Sequence, residues 1–158
     1  MNKIHIIGLF STIFLFSCGN EPNKDISAVN INPNSETQNI TVISNEVALD
    51  RLSNNCFACH NPNSESHDDI LAPPLAGIKH KYKKHYPNEQ EFITQMTEFV
   101  DSPTKEEALM KGPVKRFGVM PKTALSKKEV QELVQYIYNN EIESPEWFEE
   151  HFEEKHGK

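Results

Sequence analysis

The chain has 158 residues, 37% of them hydrophobic and 25% charged, with 23 Asp+Glu against 16 Lys+Arg, a net charge of −7 and three cysteines. That length suits one domain with appendages, and no run approaches the roughly 18–20 apolar residues of a membrane-spanning helix. The composition excludes a polytopic membrane protein, a collagen-like fibre and a multi-disulfide scaffold, and the acidic balance excludes a phosphate-backbone binder.

Residues 1–17 read as a targeting signal. Lys3 supplies a positive start, and Ile6 to Phe16 forms an apolar stretch of signal-peptide length. The ending Leu15-Phe16-Ser17-Cys18 resembles the lipobox of bacterial lipoproteins, with Phe16 where a small residue is usual. That resemblance implies lipidation of Cys18 and places the rest of the chain in the cell envelope, anchored to a bacterial membrane and facing the periplasm. Lacking a lipid, Cys18 would be a chance cysteine in an ordinary cleaved signal or an uncleaved anchor. Residues 18–45 then form a tether. From 20 to 45 there are seven asparagines and two prolines, too little apolar surface to offset the entropy of ordering. Such a flexible stretch of about 26 residues spans roughly 25–30 Å. Ile40, Val42 and Ile43 offer one short strand as the alternative.

Residues 46–55 carry Val47, Leu49 and Leu52 as their large apolar positions. This segment leads into Cys56-Phe57-Ala58-Cys59-His60, a C-x-x-C-H run with the spacing of covalent c-type haem attachment. Two cysteines three apart lie on one side of a helical turn, so both thiols reach one edge of a porphyrin while the next residue offers an imidazole to the iron. Two other readings compete. Structural zinc needs four ligands, and no second C-x-x-C or H-x-x-x-H pair follows, which leaves His67, His80 and His85 to improvise. A thioredoxin-like pair needs alternating strands and helices that the flanks lack. With Cys18 taken by lipid and the other two by haem, no thiol is left over in an oxidising compartment.

Phe92, Ile93, Met96, Phe99 and Val100 make an apolar helical stripe, so Met96 reads as core, and Met110 likewise. Met120 belongs to no stripe. In Phe117-Gly118-Val119-Met120-Pro121 the proline holds Met120 extended, Gly118 lets the chain run close to a flat ligand, and the thioether is the candidate sixth iron ligand, with His80 and His85 as competitors. The choice matters because a thioether raises the potential relative to a second imidazole. A further helix is expected over 126–140. Ser126 and Glu129 form a capping box, and Val130, Leu133, Val134, Ile137 and Tyr138 lie on one face.

Over residues 46–142 these features resemble class I cytochrome c. The resemblance implies an all-α domain wrapped around one covalently bound haem c, with Cys56 and Cys59 as thioether ligands and His60 and Met120 as axial ligands. Pro73-Pro74-Leu75-Ala76-Gly77 matches the family's Pro-x-Leu-x-Gly segment, with Ala72 where Gly is usual. The match implies that the Pro73 carbonyl accepts a hydrogen bond from His60. Tyr136 stands at a position where the family commonly has an aromatic. An N-terminal helix around residues 46–55, with Val47, Leu49 and Leu52 in place of the usual Gly/aromatic pair, is implied to pack across the C-terminal one.

Charge is unevenly spread. Residues 18–78 carry net −6, 79–128 net +5 and 129–158 net −7. The positive block includes Lys79, Lys81, Lys83 and Lys84, then Lys111, Lys115, Arg116 and Lys122 around Met120. It either steers an acidic partner to an exposed haem edge or consists of solvated side chains facing many directions. The acidic extension 143–158, with Trp147, Phe148, His151 and Phe152, is expected to form a turn or two of amphipathic helix on the domain or to engage a partner. The leading expectation is a non-enzymatic, membrane-anchored monohaem carrier passing single electrons between a reductase and a terminal oxidase. A haem-based sensor or ligand-binding subunit with a displaceable Met120 is the alternative.

Overall fold

The structure, a computed structural model, describes residues 42–156, and the expected signal peptide, Cys18 and most of the tether lie outside them. The described residues hold six helices and no strand: α1 (Asn45–Asn55), α2 (Leu75–His85), α3 (Glu89–Asp101), α4 (Lys111–Phe117), α5 (Lys127–Asn139) and α6 (Phe148–His156). The expected all-α architecture is the one found. Of the alternative strand, Ile40 lies outside the described residues, while Val42 and Ile43 belong to no regular element and Ile43 packs against the helical core.

Three helices start where a short polar side chain can cap them. Ser44 accepts from the N–H of Val47, Asn88 from Glu91 and Ser126 from Glu129, each relieving an otherwise orphaned first-turn donor. At Ser126 the capping box is complete, since the Glu129 carboxylate also accepts from the Ser126 N–H at 2.9 Å. α4 carries Pro113 in its first turn, where a missing N–H costs nothing, and it ends at Gly118 with φ +84° and ψ −177°, a conformation open in practice only to glycine.

α3 and α5 form the main packing layer, with α1 crossing α5 and α2 set against α3. Fully buried Phe92, Ile93, Leu52 and Val130 join Ala48, Met96, Leu133, Val134 and Ile137 in one apolar core. The sequence places Val47 in the packing face of α1, but Val47 is exposed and Ala48 is buried instead. With Leu52 as the anchor, i−4 shares its face and i−5 turns outward. Two polar contacts fix the α1–α5 crossing. Tyr136 donates its hydroxyl to Asn45, and Arg51 donates at 2.9 Å to Glu132, a carboxylate only 8% exposed.

α2 and α4 are additions to the elements read from sequence. α6 is the helix expected in the C-terminal extension, and it packs on the domain: Phe148 is buried, and a Cβ built on Gly77 would stand 3.2 Å from its ring. The Trp147 indole donates to the Ser64 carbonyl at 2.9 Å.

Candidate functional site

The segment 56–60 continues from α1 without a break in hydrogen bonding. The N–H groups of Cys56 and Phe57 both donate to the Leu52 carbonyl at 2.8 and 3.0 Å, and those of Cys59 and His60 to the Cys56 carbonyl at 3.1 and 2.9 Å. A turn closed in this way carries both sulfurs and the imidazole on one tight loop, so their mutual placement is inherited from the helix. Cys56 and Cys59 are free thiols. Burial pushes the Cys56 thiol up to about 11. A thiol held neutral by burial is not the activated thiolate of a thioredoxin-like nucleophile. Among the described residues no three His, Cys, Asp or Glu side chains come together to hold a metal ion.

His60 is oriented from behind. Its Nδ1 lies 2.7 Å from the Pro73 carbonyl oxygen. A carbonyl only accepts, so Nδ1 carries the proton and Nε2 keeps its lone pair. Burial holds the imidazole below its usual pKa, with the Pro73 hydrogen bond opposing in the weaker sense, so the ring is neutral near pH 7. A neutral imidazole with one nitrogen fixed and the other available is the form an iron ligand needs.

These groups open onto a cavity of about 470 Å³, within the usual range for cofactor sites. Cys56, Cys59 and His60 line it, as do Leu75, Ile78 and Tyr82 of α2, Met96, Phe99 and Val100 of α3, and Val130, Leu133, Val134 and Ile137 of α5. Much of the segment from Ala108 to Leu125, including the whole stretch from Phe117 through Met120 to Leu125, also lines it. No Asp or Glu faces it, and Lys122 is its one charged residue. Leu71 and Val119, both exposed, give it an apolar rim. A cavity so apolar, with a neutral imidazole and two adjacent thiols in its lining, fits a porphyrin tethered at one edge.

Met120 lines the same cavity as His60, on a stretch with no regular structure between α4 and α5. The competing histidines do not. His80 lies against Phe152 with ring centroids 4.6 Å apart, and His85 lies against Tyr86 at 4.8 Å. Met96 and Met110 also line the cavity, Met96 as a buried part of α3 and Met110 at the start of α4. Of the basic block, only Lys122 reaches this cavity, where it pairs with Asp101 at 3.8 Å. Lys127 pairs with Glu98 at 2.6 Å, and Lys83 sits 4.1 Å above the Tyr138 ring.

Comparison with known proteins agrees with this geometry. A family model described as Cytochrome c matches residues 50–141. An uncharacterized protein of Aquifex aeolicus (strain VF5) is 37% identical over 92 residues, covering 56% of this chain and 59% of the relative. The chain thus spans about three-fifths of that relative's length. No solved structure matches.

Proposed function

The chain belongs to the cytochrome c family, and from that premise we propose that it is a membrane-anchored monohaem electron carrier of the class I type with His60 and Met120 as axial ligands. A cytochrome c domain holds haem c covalently and serves haem-based electron transfer, and a carrier of this kind performs no chemistry on a substrate. The observation that carries the residue assignment is the joint placement of Cys56, Cys59 and His60 on one hydrogen-bonded turn, with Nδ1 of His60 taken by Pro73 and Met120 lining the same apolar cavity.

Bound haem supplies a one-electron Fe(III)/Fe(II) couple. Cys56 and Cys59 would hold it as thioethers, and His60 would offer Nε2 while Pro73 fixes the ring and raises its basicity. Met120 would supply the thioether sulfur on an extended stretch braked by Pro121 and by the positive-φ turn at Gly118. Met96 is committed to the α3 core, which leaves Met110 as its rival within the cavity. Phe99, Val100, Leu133 and Val134 exclude water, so that little reorganises when the charge changes. The apolar rim of Leu71 and Val119 suits the small, transient contact that a carrier makes with a reductase and then with a terminal oxidase. Cys18 would carry the lipid, placing this domain in the periplasm at the end of the tether.

A reduced-minus-oxidised spectrum of the full chain tests the reading. A low-spin c-type spectrum with the weak iron–sulfur charge-transfer band is expected. Met120→Ala should abolish that band and lower the potential while Met110→Ala leaves it in place; the reverse pattern would reassign the ligand. Cys18→Ala should move the protein from the membrane to the soluble fraction, and persistence in the membrane would count against lipidation.

A further inference from the structure

A second cavity, of about 620 Å³, is lined by residues of α2, α4 and α6. It shares a wall with the first, since Pro73, Leu109, Met110, Pro113 and Phe117 line both. Its chemistry is different. Lys81, Lys84, Lys111, Arg116 and Lys155 line it and no Asp or Glu does, in a chain whose acids outnumber its bases by 23 to 16.

Three of these cations, Lys81, Lys84 and Lys155, make no hydrogen bond or ion pair with the described residues. Lys81 and Lys84 stand one turn apart on α2, so their like charges add over the same mouth. The other two are aimed by their neighbours. Lys111 donates to the carbonyls of Lys105 and Glu106 at 3.0 and 2.8 Å, which fixes the amine without neutralising it. Arg116 lies 2.9 Å from Nε2 of His67 and donates to the His67 carbonyl at 3.1 Å. Its nearest carboxylate is Asp68 at 3.8 Å, and that side chain is 95% exposed and easily displaced. Beneath the cations lie Ile70, Trp147, Phe148 and Phe152. The Trp147 N–H is already given to Ser64, so what remains of the indole is apolar surface.

Cations gathered around a cavity whose lining holds no carboxylate repel one another, and an anion relieves that repulsion. Arg presents a planar fork suited to a carboxylate or sulfonate, and the aromatic floor suits a flat apolar body. We propose that the second cavity binds an amphipathic organic anion, a carboxylate or sulfonate carried on an aromatic or similarly apolar body. The cations supply orientation and the aromatic floor supplies buried area, the division of labour common to small-molecule sites. Such a ligand would lie against Pro73, whose carbonyl orients His60.

Equilibrium dialysis of the haem-loaded full chain against 8-anilinonaphthalene-1-sulfonate tests this. Saturable one-to-one binding is expected, weakened at least about tenfold by the paired substitutions Lys81→Glu and Lys84→Glu. The neutral analogue N-phenyl-1-naphthylamine should bind at least about tenfold more weakly than the sulfonate. Both lysines are exposed, so the variant should keep the haem spectrum of the parent. If it does not, Lys84→Gln alone carries the comparison. Absence of saturation, equal affinity in the lysine variant or equal affinity of the neutral analogue would each overturn the proposal. So would tighter binding of a hexaglutamate peptide than of the sulfonate, which would assign the cavity to an acidic protein segment instead.

Discussion

The two sulfur-bearing parts of the first cavity are held in contrasting ways. The Cys56–His60 turn grows out of α1, is closed by four main-chain hydrogen bonds and is backed by Pro73. The Met120 stretch has no such support. From Val119 to Ala124 no backbone N–H donates to a main-chain carbonyl among the described residues, and its ties are the Lys122–Asp101 ion pair and the Thr123 hydroxyl accepting from Leu125. One side is thus dictated by the fold, whereas the other depends on what fills the cavity. A loosely tied segment belongs to the low end of the local stability scale.

Substitutions can break or sharpen that contrast. The largest effect is expected from replacing Cys56 and Cys59 by serine together, which should abolish covalent haem altogether. Met120→Ala should keep the haem attached, and intact-mass spectrometry distinguishes the two; loss of haem from both would erase the asymmetry. Phe92→Ala comes next. Phe92 is fully buried on the core face of α3, and its truncation should cost roughly 3–5 kcal/mol in a denaturant titration.

Gly118→Ala should act on the Met120 side alone. With φ +84° and ψ −177° a side chain is strained at a cost of about 2 kcal/mol, although a Cβ there meets nothing within 4 Å. Hydrogen exchange should therefore quicken around residues 118–124 and stay unchanged in α1. Uniform quickening would show that the two sides open together.

Ser126→Ala is the mildest, removing a helix cap worth about 1 kcal/mol from α5. The Ser126 hydrogen bonds hold the Glu129 carboxyl below its usual pKa. A depressed folded-state value means stabilisation present above pH 4.5 and lost as acidification passes through the lower folded value. The Ser126→Ala deficit should accordingly shrink in acid when unfolding is followed by circular dichroism. A deficit constant with pH would disconnect the cap from that carboxylate.

What was legible in sequence had strong local signatures. The α3 stripe and the Ser126 capping box each announce a helix within one or two turns, and the C-x-x-C-H spacing announces its own chemistry. α2 was harder to read. Leu75, Ile78 and Tyr82 do have helical spacing, but they sit among histidine and lysines behind two prolines. α4 has only seven residues with a proline inside, too short for a periodic pattern. The burial of Glu132 could not be read at all, because it depends on Arg51, distant along the chain and brought close only by the crossing of α1 and α5. Likewise the sequence leaves open whether the basic block is one steering surface or faces many directions, and the fold scatters it: Lys122 lines one cavity, Lys81, Lys84, Lys111 and Arg116 the other, and Lys79, Lys83 and Lys115 neither.

The close fit of Gly77 beneath Phe148 ties the first turn of α2 to α6. Any methyl at position 77 presses on a ring supplied by a helix some seventy residues downstream, so α2, which follows the Pro73 carbonyl behind His60, and α6 pack as one unit. Grafting one onto another scaffold without the other would leave either an uncovered glycine or an aromatic ring with nowhere to lodge.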